Sequence, residues 1–233
     1  MNKLTTIGFD ADDTLWHNER FFRMTQDHFV SLLADDCAAD HLHDRLLAAE
    51  RRNLGNYGFG VKGFILSMIE TAIEVTRERV PARVIAELIG AGQEMLAQPI
   101  ELLPGAQAAV ETLAPHFRLV LVTKGDLLDQ ERKLAQSGLG DLFDAVEIVS
   151  HKTEATYAQV FARHGTGPAE AMMVGNSLRS DILPMLAAGG WGVHVPHALT
   201  WALEADDRPQ NAIRFREIAR IDGLPDLIHT LPI

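Results

Sequence analysis

At 233 residues, 47% hydrophobic and 23% charged, the chain has the make-up of an ordinary globular protein, long enough for a sizeable core in one or two domains. The formal net charge of −11 argues against nucleic acid or a membrane surface as partner, and any anionic substrate must be met by locally concentrated positive charge. Cys37 is the single cysteine, which excludes an internal disulfide framework and a thiolate metal site. With no signal-like start and no stretch apolar enough to span a bilayer, a cytoplasmic location is expected.

Leu4, Ile7 and Phe9, with Thr5 and Thr6 between them, read as a short strand running into Asp10, Asp12, Asp13 and Thr14. On an extended chain Asp10 and Asp12 point to one face, where two carboxylates repel unless a cation lies between them. The cluster asks for a metal, a proton-transfer role or both; the plainer reading is an acidic turn. A calcium loop is excluded, because Leu15 and Phe21 stand where that loop needs Gly and Glu.

From there the pattern turns helical. Phe21, Phe22, Phe29, Leu32 and Leu33 share one helix face, and Leu42, Leu46 and Leu47 open a second helix. Asn53–Gly60 reads as a Gly-rich break before a strongly amphipathic helix through Val61, Phe64, Ile65, Met68, Ala72 and Ile73. Pro81 suits the first turn of a fourth helix. Nothing between Trp16 and Gln98 reads as a strand, so this stretch is a helical insertion.

Beyond Leu102 strands and helices alternate. The expected strands are Arg118–Val122, Ala145–Val149, Ala171–Val174 and Trp191–Val195; the expected helices are Ala106–Leu113, Leu127–Ser137, Glu154–Arg163 and one near Ile182–Ala188. The tail from Arg214 carries a last strand and a short helix, and Glu204–Asp207 is expected to be surface loop. Such alternation implies an α/β fold with a parallel sheet covered on both faces and ligands bound beyond the carboxyl ends of the strands. Polar residues do follow those ends: Thr123, Lys124 and Gly125; then Ser150, His151 and Lys152; then the run from Gly175 to Asp181. A hydroxyl followed by a Gly-containing turn offers Oγ–H and backbone N–H groups to a phosphoryl oxygen, though each group alone would pass for a cap or a surface lysine. Asp181 reads as a helix N-cap, with Pro184 then in the first turn.

FDADDTL resembles the DxDxT motif of the haloacid dehalogenase-like (HAD) superfamily. Thr123 and Lys152 match its second and third motifs, and GNSLRSD is similar to the fourth, with Asn176 where Asp is usual. The resemblance implies a Rossmann-like parallel sheet sandwiched by helices, formed by residues 1–16 and 101–233, with residues 17–100 as an inserted α-helical cap domain. It implies a small phosphorylated molecule as substrate, hydrolysed through an aspartyl phosphate. Asp10 is then the nucleophile and Asp12 the proton donor and acceptor, with Thr123 and Lys152 stabilising the transferring group. Mg²⁺ would be held by Asp10, the Asp12 carbonyl, Asp181 and Asn176, the last offering a neutral oxygen in place of a charged one. Lys124 and Gly125, and Lys62 from the Gly-rich loop YGFGVKG, are candidate substrate contacts. A 2-haloacid dehalogenase shares the nucleophile but needs neither Asp12 nor metal. A non-hydrolytic phosphoacceptor module shares the acidic cluster, Thr and Lys but lacks the insertion.

Overall fold

The apolar, β-branched run Thr6–Phe9 is fully buried and forms β1 at the centre of a parallel sheet in this computed structural model, which describes residues 3–232. The other strands are β2 (Arg118–Thr123), β3 (Ala145–Ile148), β4 (Ala171–Gly175), β5 (Trp191–His194) and β6 (Phe215–Glu217), in the order β3-β2-β1-β4-β5-β6. The winding reverses between β1 and β4, and a crevice opens at such a switch point beyond the strands' carboxyl ends. Phe9 is level with Leu121 on one side and Val174 on the other. Asp10, Thr123 and Asn176 therefore leave the sheet along one edge. This is a Rossmann-like α/β fold.

The chain divides into two compact units, one comprising the residues up to Glu19, Ile100–Lys124 and the residues from Gln130 onward, the other Arg20–Pro99 with Gly125–Asp129. The second unit is built mainly on four helices: α1 (Glu19–Leu32), α2 (Ala39–Tyr57), α3 (Val61–Val75) and α4 (Ala82–Ala97). Their apolar faces bury Phe29, Leu42, Leu46, Phe64, Met68 and Leu88 in a core of their own. Each fully buried Leu or Phe contributes roughly 1.5–3 kcal/mol. The expected break at Asn53 is displaced. Helix α2 runs through Tyr57, because the Asn53 amide donates to Ser67 Oγ (3.1 Å) and Glu70 Oε2 (2.7 Å) on α3, which outweighs the turn preference of NLG. The chain reverses instead at Gly58 and Gly60, both with positive φ, and a side chain at Gly60 would strike Asp126.

In the first unit α5 (Ala106–Leu113), α6 (Leu127–Ser137, of which residues from Gln130 belong here), α7 (Glu154–His164), α8 (Leu183–Ala187) and α9 (Leu224–Thr230) cover the sheet. Alternate residues of β2 face opposite cores. Leu119 and Leu121 join Ile7, Phe9, Val174, Val110 of α5 and Ile228 of α9, whereas Val120 and Val122 join Met173, Tyr157 and Phe161 of α7 and Met185 of α8. Among the described residues no helix is long and apolar enough to cross a membrane.

Candidate active site

Asp10 directly follows β1, its N–H bonded to Val174 O across the switch point (2.9 Å). Its carboxylate is buried and doubly held: Lys152 Nζ hydrogen-bonds Oδ1, and Thr14 Oγ1 donates to Oδ2 at 2.9 Å. The same ammonium donates to Asp181 Oδ1 (2.7 Å), so one buried cation serves two buried carboxylates. Burial and the neighbouring Asp181 charge push the Asp10 carboxyl up to about 7, with Lys152 pulling the other way. Burial works against charge on Lys152 too, but the two carboxylates outweigh it and hold the ammonium above its ordinary value.

Asp12, two residues on, holds its own set of partners, while its charge still reaches Asp10 and helps to raise it. The Asp12 carboxylate accepts from Trp16 Nε1 (2.7 Å), Gln130 Nε2 (2.9 Å) and Lys133 Nζ (3.0 and 3.2 Å). Lys133 also donates to Asn18 Oδ1 (2.8 Å). Trp16 is wholly buried and orients Asp12. Neither Gln130 nor Lys133 was singled out in the sequence; their spacing on one face of the helix after β2 is the signal that points to them.

Thr123 is buried at the end of β2, with Oγ1 3.4 Å from Gln130 Oε1, which links it to the Asp12 cluster. Lys124 Nζ turns to Ser180 Oγ (2.8 Å) and Glu204. Gly125 and Lys62 both belong to the second unit, where Lys62 pairs with Asp126 at 3.3 Å and remains largely exposed.

After β4, one side-chain atom of the Asn176 amide lies 3.2 Å from each of the Asp12 carbonyl oxygen, Asp10 Oδ2 and Thr14 Oγ1. With the amide nitrogen there, all three oxygens receive hydrogen bonds. With the amide oxygen there, it accepts from Thr14 Oγ1 (3.2 Å), and Asp10, Asp12 and Asn176 present converging oxygens of the kind a cation would satisfy. Adjacent ligands of an octahedral Mg²⁺ lie ~2.9 Å apart, from Mg–O distances of about 2.0–2.1 Å, so these residues fit such an ion. Asp181 is not the N-cap the sequence suggests. It lies inside a wide π-helical turn, Leu178–Ile182, capped by Ser177, whose Oγ accepts from Ser180 N (3.0 Å). Asp181 Oδ2 instead receives the Ser177 N–H at 2.9 Å.

Gly175 makes room for this arrangement. A Cβ there would lie 2.2 Å from Asp181 Oδ2 and 2.4 Å from its Cγ. Gly175→Ala is expected to displace Asp181, costing about 1–3 kcal/mol of stability as overpacking. Chemical denaturation measures the loss; a wild-type midpoint would refute the steric argument.

Asp13, His17 and His197 bring three metal-type donor atoms within 4.8 Å of one another. The Asp13 oxygens are already engaged, accepting the N–H groups of Asn18 and Glu19 at 2.9 Å each at the start of α1, and His197 Nδ1 is engaged by Leu199. Burial pushes the Asp13 carboxyl up to about 6 against those bonds and His197. We read this cluster as an anchor for the loop after β1.

The chain matches the haloacid dehalogenase-like hydrolase family over residues 4–189, a span that begins just before β1 and ends just after α8. A haloacid dehalogenase-like family hydrolase from Xanthomonas campestris is 43% identical, with a TM-score of 0.86 over 97% of this chain and 91% of that one. Two more distant structures share the fold. The HAD-hydrolase YfnB from Bacillus subtilis, bound to magnesium, is 18% identical with a TM-score of 0.65 over 97% of this chain and 99% of that one. A 2-haloacid dehalogenase from Pseudomonas syringae pv. Tomato is also 18% identical, with a TM-score of 0.61 over 97% and 98%. No curated protein matches the sequence. The chain belongs to the haloacid dehalogenase-like hydrolases.

Proposed function

We propose that this hydrolase is a Mg²⁺-dependent phosphatase that acts on a small phosphomonoester through an aspartyl phosphate on Asp10. The observation that carries this reading is the buried Asp10 carboxylate, held at the β1/β4 switch by Lys152 and Thr14 beside Asp181. Asp10 forms a bond to phosphorus as the bond to the leaving oxygen breaks, and Asp12 hands that oxygen a proton. A water then attacks the aspartyl phosphate, Asp12 takes its proton, and inorganic phosphate departs with Asp10 restored. To do this Asp12 exchanges at least one of its contacts to Trp16, Gln130 and Lys133 for the substrate. Lys152 and the Thr123 hydroxyl steady the transferring oxygens. Asp10, the Asp12 carbonyl, Asn176 and Asp181 would hold Mg²⁺, which supplies charge neutralisation between carboxylate and phosphate when bound.

Hydrolysis of an aryl phosphate is therefore expected to require Mg²⁺ and to stop on chelation. Because the Asp10 carboxyl is raised to about 7, protons compete with the cation below that value. Mg²⁺ should bind more weakly at about pH 6 than at about pH 8, with proton release at the lower pH, in calorimetry. Equal affinity at both values would contradict the role given to Asp10. Metal-independent halide release from a 2-halocarboxylic acid, with no phosphatase activity, would replace this reading with that of a dehalogenase.

A further inference from the structure

Strands β5 and β6 are joined by residues 195–214, a parallel crossover made without a helix. Connections this long with no regular structure are uncommon and usually functional. The segment leaves β5 at the carboxyl edge of the sheet, where Asp10, Thr123 and Asn176 emerge. Glu204, which the sequence places in an ordinary surface loop, is instead turned inward, with its side chain 16% exposed. Its carboxylate receives hydrogen bonds from Lys124 Nζ, Ser177 Oγ (2.6 Å) and Ser180 Oγ.

Those three donors come from two loops. Lys124 follows Thr123 at the end of β2, and Ser177 and Ser180 lie between Asn176 and Asp181. Ser177 also gives its N–H to Asp181 Oδ2 (2.9 Å), and the Ser180 carbonyl accepts from Tyr157 Oη (2.9 Å). A single carboxylate from a remote part of the chain thus ties the loop after β2 to the loop after β4. Burial pushes the Glu204 carboxyl up, but the Lys124 charge and the bonds from Lys124, Ser177 and Ser180 outweigh it and hold it below its ordinary value.

We propose that Glu204 is a positioning residue for cation binding: its carboxylate fills a cradle formed by Lys124, Ser177 and Ser180, fixing the loop that presents Asn176 and Asp181 and cancelling the Lys124 charge beside it. The inference rests on the reading of Asn176 and Asp181 as Mg²⁺ ligands. Partners of this kind, bonded to the ligand loop and not to the metal, are worth about 10–100-fold in affinity.

Calorimetric titration of the full-length protein with Mg²⁺ tests it. Glu204→Ala should raise the Kd by about tenfold or more. Added acetate, a small carboxylate that fits the vacated cradle, should bring the Kd back toward the wild-type value, which a general loosening of the fold would not allow. Glu204→Gln, which keeps the shape and loses the charge, should also bind Mg²⁺ more weakly, and it serves as the test if the alanine variant does not fold. A wild-type Kd in either folded variant, or a weakened Glu204→Ala that acetate leaves unchanged, would overturn the proposal. If the wild-type protein itself bound no Mg²⁺, or Asp181→Asn left its Kd unaltered, the metal reading would fall and the inference with it.

Discussion

Replacing Asp10 by Asn should reduce phosphomonoester turnover by roughly four to six orders of magnitude, the scale on which loss of a nucleophile is felt. An amide cannot form the aspartyl phosphate, and none of the neighbouring groups is placed to take over. Lys152 and Thr14 donate hydrogen bonds, and Asp181 shares Lys152 from the far side. The fold should survive. The Asp10 carboxyl is raised to about 7 by burial and by Asp181, well above its value in an unfolded chain. A carboxyl raised on folding adds stability at acid pH that is lost as pH rises through its folded value. The substituted amide does not titrate, so the variant should match or exceed the wild type in melting temperature, with the advantage growing from about pH 5 to about pH 8. An inactive variant with an unchanged or higher Tm identifies chemistry as what was lost. Turnover within tenfold of wild type would remove Asp10 from the mechanism.

Lys152→Met is expected to be the more damaging change to the protein as a whole. The side chains of Lys152 and Asp181 are each 1% exposed, and that of Asp10 10%. Taking one partner from a buried ion pair costs about 3–5 kcal/mol, and here two carboxylates lose their shared cation. The Asp10 carboxyl, already raised to about 7, would resist ionisation further without the Lys152 charge beside it. The stability deficit should accordingly be smallest near about pH 5 and widen toward about pH 8. Denaturation midpoints across that range measure it, and turnover should fall with the missing charge on the transferring oxygens. A deficit independent of pH would show that Lys152 acts through packing rather than through its charge.

Much of this was legible in the sequence because strands buried on both faces write themselves as apolar runs, and the chemistry follows immediately after them. Helices Ala106–Leu113 and Leu127–Ser137 stand where the pattern puts them. What the pattern hides is polar structure that depends on distant partners. Asn53 looks like a turn residue until Ser67 and Glu70 are brought beside it. Pro184 suggests that a helix begins at Asp181, but the chain spends Leu178–Ile182 on a wide turn that tucks the Asp181 carboxylate back against the Ser177 N–H. Gln130 and Lys133 are two polar positions within the expected helix Leu127–Ser137, and Glu204 lies in an expected surface loop. Each is fixed by a partner far away in sequence: Asp12 for the first two, Lys124 for the third.

The position of β1 has a consequence for how the molecule comes into being. Strand β1 is synthesised before both of the strands that flank it, and Thr6 finds its β4 neighbour, Ala171, only after the helical insertion, β2 and β3 have been made. Until then a hydrophobic edge and a carboxylate with no partner must wait, the condition under which nascent chains associate or call on chaperones. High contact order of this kind slows folding, and it means that no fragment stopping short of β4 gives β1 both of its neighbours.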